Sequence, residues 1–530
     1  MTHLRALLAA AGLAALSAAT PALAATPDNM LVIANRIDDI VSLDPAETFE
    51  FAGNDVNRNV YGRLVNFDPA DLEAGYQPDI AESWEVSEDG TSITFKIRDG
   101  MTFHSGNPVR AEDAAFSLRR VIKLNLTPSF IFSQFGFTPE NVDEKITFDD
   151  TTVTLNFDAP YAESFVLNCL TAGVGSIVDK ELAMEHESDG DFGHDWLKTN
   201  SAGSYAYKLT SWRPAEAVTL EANPDFYLGE PAMKRVIVRH ISESANQRLL
   251  LERGDIDVAR NLNPEDVAGI ESAEGVKVVD ELRGRIMYAS FNQKNEFSAN
   301  PKVIEALKYA VDYEGMANSF LKGQWTIHQT FLPQTYFGAL DETPYTFDLD
   351  KAKALIVEAG VETPITLGLG VRDAQERIEI AQSMQNTLGE LGIDLDITVG
   401  TGAQTLGKYR ARELDVYVGE WGPDYPDPNT NAATFSSNPD NSDAAQATGI
   451  LAWRNAYDPG ALTQKTKDAV LEKDTETRRK MYEEIQQTFL ETAPFVIMFQ
   501  KIEQAAMRDN VEGLSLGQAI TAAAYWKVSK

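Results

Sequence analysis

Apolar and polar residues alternate along many short segments of the chain, which is the pattern of half-buried β-strands. The clearest alternating segments are 93–98, 153–157 and 218–221. Three other runs are mostly apolar and predict strands that are more fully buried, with both faces covered; they lie at 236–238, 365–369 and 416–418. The number of predicted strands therefore indicates either several β-sheets or one large β-sheet.

Between these strands, apolar residues recur three or four positions apart, which predicts amphipathic helices. The predicted helices cover 113–122, a segment that begins at Pro301, 376–391 and 479–490. The third should end at Gly392, because glycine readily adopts the left-handed conformation that closes a helix. The last is followed by an apolar strand at 495–499. Because strands and helices alternate throughout, the chain is predicted to have a mixed α/β fold.

Length and composition limit the possible architectures and partners. The 530 residues are 43% hydrophobic and 9% aromatic, which excludes a disordered chain. They exceed the roughly 250–300 residues that one core supports, so two or three domains are expected. With 46 basic and 80 acidic residues the formal net charge is −34, which argues against nucleic acid or an anionic membrane surface as a partner. The single cysteine, Cys169, excludes an intramolecular disulfide and a cysteine-based metal cage.

The N-terminus has the features of a secretory signal. Arg5 supplies a positive charge, residues 6–19 are mostly apolar, and 22–24 form a small-x-small cleavage site. We therefore predict a signal peptide at 1–24. No cysteine follows the apolar region, so a lipoprotein is not expected, and no later run approaches the ~20 apolar residues of a membrane helix. The mature protein is predicted to be exported and soluble.

Two short motifs suggest enzymes but lack the groups that such enzymes need. Residues 513–517 match Gly-x-Ser-x-Gly, yet the last histidine is His328, whereas a hydrolase needs one after the serine. Residues 402–408 resemble a P-loop, but the next residue is Tyr409 instead of a magnesium-binding serine or threonine. We expect 402–408 to be a polar loop and the protein to be a binder, not an enzyme.

Candidate metal and thiol chemistry is also weak. His186 and His194 lie in an acidic segment, but their spacing matches neither His-Glu-x-x-His nor an EF-hand. A solvated acidic loop is favoured there over a metal site, and both interpretations stay open. Cys169 lies among apolar residues and is predicted to be a buried, inert thiol. Neither a cofactor nor a metal is therefore predicted.

The segment 420–428 is unusual for a surface loop. It follows a buried strand and combines two aromatic rings with carboxylates, three prolines and a glycine. Prolines restrict the backbone and lower the entropy lost on ordering it. A rigid loop that presents an indole and a carboxylate suits a small cationic or zwitterionic ligand. From the chemistry alone, a ligand site and a structural proline-rich turn both remain possible.

Several stretches, in order, share a further pattern. They are 78–87, 89–90, 94–95, 97–100, 103–106, 111–117, 202–205, 222–227, 303–312, 421–428 and 478–482. Together they resemble the family 5 extracellular solute-binding proteins, which are the dipeptide, oligopeptide and nickel receptors of ABC importers. The resemblance spans nearly all of the mature chain.

The resemblance implies an architecture and a role. The expected architecture is α/β, a two-lobed periplasmic binding protein fold of class II with an extra inserted domain and mixed sheets flanked by helices. Its predicted parts are lobe I (25–70, 200–290 and 495–530), the inserted domain (71–199) and lobe II (291–494). The expected role is a monomeric periplasmic receptor that binds a dipeptide or short oligopeptide in its cleft and delivers it to an inner-membrane ABC permease. A receptor for a nickel chelate, or for another small cationic or zwitterionic solute, is the alternative.

The resemblance also assigns roles to five residues. Asp424 matches the aspartate that pairs with the α-ammonium of a peptide, and Trp421 would stack on the ligand backbone. Arg372 matches the cation for the far carboxylate. Phe49 falls where the N-terminal segment lines the cleft, and Tyr425 completes the predicted binding set.

One departure from the family pattern bears on the ligand. Glu420 adds a second carboxylate near Asp424. Two such groups would favour a more cationic ligand or raise one of the two pKa values.

Overall fold

The structure, a computed structural model, describes residues 26–68, 71–517 and 523–530. The predicted signal peptide lies outside the described residues. The strands are β1 Met30–Asn35, β2 Val65–Asp68, β3 Asp71–Pro78, β4 Ala81–Val86, β5 Ser92–Ile97, β6 Ile146–Phe148, β7 Thr152–Asn156, β8 Tyr207–Arg213, β9 Ala217–Ala222, β10 Arg235–His240, β11 Val258–Ala259, β12 Val276–Phe291, β13 Trp325–Ile327, β14 Ile365–Arg372, β15 Ile393–Gly400, β16 Val416–Trp421 and β17 Phe495–Arg508.

Helices alternate with these strands along the described chain. They are α1 Phe51–Val60, α2 Ala111–Leu124, α3 Phe130–Ser133, α4 Val142–Lys145, α5 Glu163–Leu170, α6 Lys180–Glu185, α7 His194–Leu197, α8 Ser244–Arg253, α9 Pro264–Ile270, α10 Pro301–Tyr309, α11 Tyr313–Asn318, α12 Leu349–Ala359, α13 Gln375–Gly389, α14 Gly402–Arg410, α15 Asn429–Phe435, α16 Leu451–Arg454, α17 Ala461–Ala469 and α18 Thr475–Thr492. The predicted mixed α/β fold is confirmed. None of the helices in the described ranges is long and apolar enough to cross a bilayer.

The predicted elements are present, with three corrections. The helix expected to end at Gly392 ends at Gly389, with Glu390 as its C-cap. The strand expected at 495–499 continues to Arg508 because β17 pairs along its length with the equally long β12. Of the three runs expected to be covered on both faces, 416–418 is buried throughout. In β10, Ile237 is half-buried between the buried Val236 and Val238, and in β14 Thr366 is exposed. A uniformly apolar run therefore did not guarantee two covered faces.

One large sheet runs through the molecule in the order β15-β14-β16-β12-β17-β11-β1-β10-β9-β8, and β13 also pairs with β17. Both ends contain parallel pairs: β14 lies parallel to β15 and β16, and β1 lies parallel to β10 and β11. The two ends are joined by the antiparallel pair β12 and β17. The register of that pair shifts between Leu282, opposite Ile502, and Ile286, opposite Gln500. The segment 283–285 therefore bulges at the centre of the sheet.

A second, four-stranded sheet in the order β4-β5-β7-β6 belongs to a separate apolar core. This core is rich in phenylalanine from the segment 95–165, and it receives one buried residue from far along the chain, Tyr425. The ring of Tyr425 meets Phe165 edge-to-face at 6.2 Å between centroids. The segment that follows β16 is thus anchored in this core. The boundaries of the lobes and the inserted domain remain a prediction.

Candidate ligand-binding site

A cavity of about 730 Å³ lies where distant parts of the chain meet. Its lining residues come from 48–54, 127–134, 172–174 and several positions between 410 and 454. The volume falls within the range of small-molecule sites, which is roughly 300–1,000 Å³. A sphere of this volume would be about 11 Å across. The cavity is therefore large enough for a ligand of a few residues and too small for a folded partner.

Hydrogen bonds hold the segment after β16 in place. The Asp424 backbone N–H donates to Thr430 Oγ1 at 3.0 Å, and the Trp421 indole N–H donates to Asn431 Oδ1 at 3.0 Å. Asn431 in turn donates to the carbonyl oxygen of Phe331 at 2.5 Å. Both Thr430 and Asn431 belong to α15, so the helix that follows the segment fixes its shape. The indole and the carboxylate are thereby presented to the cavity on a rigid support.

Asp424 is half-buried and lines the cavity. Burial raises the pKa of its carboxyl group to about 7, and the hydrogen bond with the Thr430 hydroxyl only partly opposes that shift. Within the described part of the chain, no lysine or arginine forms an ion pair with Asp424. A carboxylate in a desolvated position without a cation is unfavourable, and a ligand ammonium group would stabilise it.

Glu420 also lines the cavity, but its charge is already compensated. Its carboxylate forms ion pairs with Arg285 and, at 3.0 Å, with Arg377. Although burial opposes ionisation, these two guanidinium groups hold the pKa of Glu420 well below its usual range. Glu420 therefore does not provide the second free carboxylate that would favour a more cationic ligand. The raised pKa belongs to Asp424 and comes from burial, not from repulsion by Glu420.

Four of the five predicted residues line the same cavity: Phe49, Trp421, Asp424 and Tyr425. Phe49 packs edge-to-face on Phe130, with 6.1 Å between the ring centroids. The Tyr425 hydroxyl donates to Gln134 Oε1 at 3.4 Å, and only 4% of the residue is exposed. Tyr425 thus contributes to the wall mainly by tying the segment to the neighbouring core.

Arg372, the fifth predicted residue, lies elsewhere. It ends β14 and is not among the lining residues. Its guanidinium group packs against Gly402, at the start of α14, where even an added Cβ would clash with it. The structure does not bring Arg372 together with the other four residues. The cations that do line the cavity are Arg410 and Arg454.

Arg410 and Arg454 were not identified from the sequence. Arg454 is buried on α16, its Nε donates to the Thr448 carbonyl oxygen at 2.7 Å, and its guanidinium carbon lies 5.2 Å from the centroid of the Tyr409 ring. Arg410 is the exposed last residue of α14, and burial together with the nearby charge of Arg454 lowers its pKa. The two arginines are far apart in the chain, and no motif contains both. Only the shape of the cavity reveals them.

The residues weighed for other chemistry do not form a second site. The segment 402–408, expected to be a polar loop, forms helix α14, whose capping box links Thr401 and Gln404. His186 stacks on Trp196, with ring centroids 4.3 Å apart. His194 instead hydrogen-bonds Asp44, at 2.7 Å from Nδ1 to Oδ2. Among the residues of 26–68, 71–517 and 523–530, no group of three or more metal-binding side chains converges.

Two further sequence expectations concern Cys169 and Ser515. Cys169 is buried as expected, and burial raises the pKa of its thiol. Gln134 Nε2 lies 3.5 Å from the Cys169 sulfur. Ser515, in the Gly-x-Ser-x-Gly match, donates its hydroxyl to Glu281 at 3.0 Å. Neither side chain lines the cavity.

Comparison with known proteins gives matches over most of the chain. Residues 75–443 match the model of the bacterial extracellular solute-binding proteins, family 5 Middle. The chain is 30% identical over 496 residues, 92% of each chain, to the "probable D,D-dipeptide-binding periplasmic protein DdpA" of Escherichia coli (strain K12).

Solved structures match the fold as well. The periplasmic binding protein DppA from Helicobacter pylori, in complex with the peptide STSA, superposes with a TM-score of 0.78 at 24% identity, over 94% of this chain and 98% of that chain. A dipeptide-binding protein from Pseudoalteromonas sp. SM9913, in complex with Met-Leu, has a TM-score of 0.78 at 21% identity, over 94% of this chain and 100% of that chain. The predicted periplasmic binding protein fold is thereby confirmed.

Proposed function

The chain belongs to the bacterial extracellular solute-binding proteins of family 5, and we propose that it captures a short peptide with a free amino terminus and delivers it to an inner-membrane ABC permease. We further propose that it acts in the periplasm after removal of the signal peptide, as a monomer and without catalysing a reaction. The names of the relatives support a peptide ligand: one is described as binding D,D-dipeptides, another as a dipeptide-binding protein of Escherichia coli.

One observation carries the choice of ligand: Asp424 lines the cavity as a desolvated carboxylate with no cationic partner in the described chain. An α-ammonium group would supply the missing positive charge and three hydrogen-bond donors. Charge-assisted hydrogen bonds of this kind are roughly twice as strong as neutral ones. The pairing therefore favours peptides with a free amino terminus over N-acylated ones.

The size and lining of the cavity support a short ligand with an apolar side chain. An extended peptide spans about 3.3–3.6 Å per residue, so a cavity about 11 Å across holds two or three residues. Phe49, Phe51 and Ile131 supply apolar surface. Phe51 and Phe130, which are 38% and 42% exposed, would be covered further by an apolar ligand side chain. Trp421 offers an indole face for the ligand backbone.

The nickel-chelate alternative has no comparable support. No histidine is found among the residues that line the cavity in the described structure. The uncompensated acid at Asp424 also fits a ligand cation better than an anionic chelate. We therefore carry forward the peptide ligand alone.

Calorimetry with the variant Asp424→Asn tests the proposal. Dipeptides with a free amine should bind the wild type and lose at least about tenfold in affinity in Asp424→Asn, because one charge-assisted pair is removed. An N-acetylated dipeptide, which lacks the ammonium group, should bind both proteins equally weakly. Asp394→Asn is the matched control, because Asp394 is exposed on β15 and does not line the cavity. Equal affinity of the wild type and Asp424→Asn for free-amine peptides would refute the pairing.

A further inference from the structure

Part of the cavity wall is an irregular segment between α15 and α16, residues 437–450, which we call the covering segment. Four of its residues line the cavity: Ser437, Pro439, Gly449 and Ile450. Every residue from 439 to 449 is exposed or half-buried, and the regular structure within that range is one helical turn at 443–445. The covering segment therefore bounds the cavity without a packed core behind it.

Side chains from other parts of the chain hold the covering segment in place. Arg412 Nη1 donates to the Asn441 carbonyl oxygen at 3.1 Å and to Asp443 Oδ1 at 2.7 Å. Lys294 also pairs with Asp443, at 2.7 Å. The Arg412 guanidinium is buried and lies 4.3 Å from the centroid of the Trp453 ring, so its own position is fixed. Asp443 is thus the point at which two cations from outside hold the covering segment.

The backbone around these contacts is held in an unfavourable conformation. Arg412, Gln446 and Ala456 have positive φ angles, of 63°, 47° and 51°. Residues other than glycine rarely adopt such angles, and they keep them only where surrounding contacts impose them. A segment without a core behind it opens at low cost once those contacts are weakened. The contacts at Asp443 therefore decide whether the covering segment stays against the cavity.

We propose that the covering segment limits the length of the ligand: held by Arg412 and Lys294, it restricts the cavity to two or three residues, and when loosened it admits longer peptides. This inference rests on the proposed function. If Asp424 holds the amino terminus of the ligand, each added residue must be accommodated at another part of the wall. The covering segment is the part that yields most readily, because it belongs to no sheet and no core packs behind 439–449.

Peptides of increasing length test this role. Di-, tri-, tetra- and penta-alanine are titrated by calorimetry into the wild type and Asp443→Ser. In the wild type, affinity should fall at least about tenfold from tri-alanine to penta-alanine, because the longer peptide must displace the wall. Asp443→Ser removes the shared partner of Arg412 and Lys294 and should reduce that loss about two- to tenfold, as expected for two exposed ion pairs. Its affinity for di-alanine should stay within about twofold of the wild-type value.

A second variant and a matched control come from the same segment. Asn441→Ala removes the side-chain hydrogen bonds with Arg412 Nη2 and with the Ala456 carbonyl oxygen, and it should shift the length preference in the same direction. Asp440→Ser is the control, because Asp440 is exposed and its carboxylate accepts from the Ser442 backbone N–H, within the segment. Asp440→Ser should keep the wild-type length preference.

The outcomes separate this inference from the proposed function. If dipeptides bind but wild type, Asp443→Ser and Asn441→Ala share one length preference, the covering segment does not limit the ligand and the proposed function stands. Equal affinity of the wild type for all four lengths would also overturn the inference. A variant that loses affinity for every length by the same factor counts against it too. If no peptide binds any of the proteins, the proposed function fails and the inference falls with it.

Discussion

Binding of a free-amine dipeptide should depend steeply on pH because of Asp424. Burial raises the pKa of this carboxyl group to about 7 in the ligand-free protein, and a bound ammonium group would lower it again. Only the ionised carboxylate pairs with the ammonium. Affinity should therefore be lost as the pH falls through about 7, by up to tenfold per pH unit.

The magnitude follows from the ionised fraction. With a pKa of about 7, roughly 1% of the carboxylate is ionised at pH 5, so the dissociation constant should rise about 100-fold from its value near pH 7.5. That change corresponds to about 2.7 kcal/mol. On the alkaline side, the peptide α-amine has a pKa of about 7.7–8.0, so affinity should fall again above pH 8. The expected profile is a bell with its maximum between about pH 7 and 8.

Calorimetry between pH 5 and 9 measures this profile directly. Repeating the titration at pH 7 in buffers of different ionisation enthalpy should show a net release of protons, because Asp424 loses its proton when the ammonium binds. The variant Asp424→Asn should bind weakly and lack the acidic limb of the bell. A dissociation constant that is constant between pH 5 and 7, or an acidic limb that survives in Asp424→Asn, would refute the reasoning.

Two further predictions concern stability. Asp424→Asn should stabilise the ligand-free protein by up to about 4 kcal/mol above pH 7, because the carboxyl has a pKa of about 7 in the folded chain and about 3.9 in the unfolded chain, and each unit of difference corresponds to about 1.4 kcal/mol. The gain should grow from about pH 4 to pH 7 and be absent below about pH 4, where the carboxyl is protonated in folded and unfolded chains alike. Melting curves at pH 4 and 8 check this, and an equal gain at both would contradict it. Glu420→Gln should lower the free energy of unfolding by about 3–5 kcal/mol, because Arg285 and Arg377 would lose their buried counter-ion. Urea unfolding measures this change, with the exposed variant Asp394→Asn as the control. A decrease of less than about 1 kcal/mol would show that these three charged groups are solvated.

Local pattern was sufficient for most of the elements. Alternation identified β5, β7 and β9, and helical periodicity identified α2, α10, α13 and α18, because period alone reports which side of a segment is buried. It did not report what covers that side. β10 was expected to be fully covered and is not, and β17 is nearly three times longer than its apolar run because β12 extends beside it.

The candidate site, like the fold, was only partly predictable from the sequence. Phe49 and the segment with Trp421 and Asp424 are identified from the sequence, through compact local chemistry and a family resemblance, and they meet at one cavity. The compensation of Glu420 depends on Arg285, 135 residues earlier in the chain. No local feature of the sequence indicates such a pairing.

The amino-acid sequence by itself determined the fold class, the family and the rigid acidic segment, because each is carried by residues that are neighbours in the chain. Only the tertiary structure decided which charges in the cavity are free. It places Arg410 and Arg454 on the wall and Arg372 outside it. The physical reason is that a charge is free or compensated according to what lies within about 4 Å of it, and in this protein those neighbours come from strands and helices far apart in sequence.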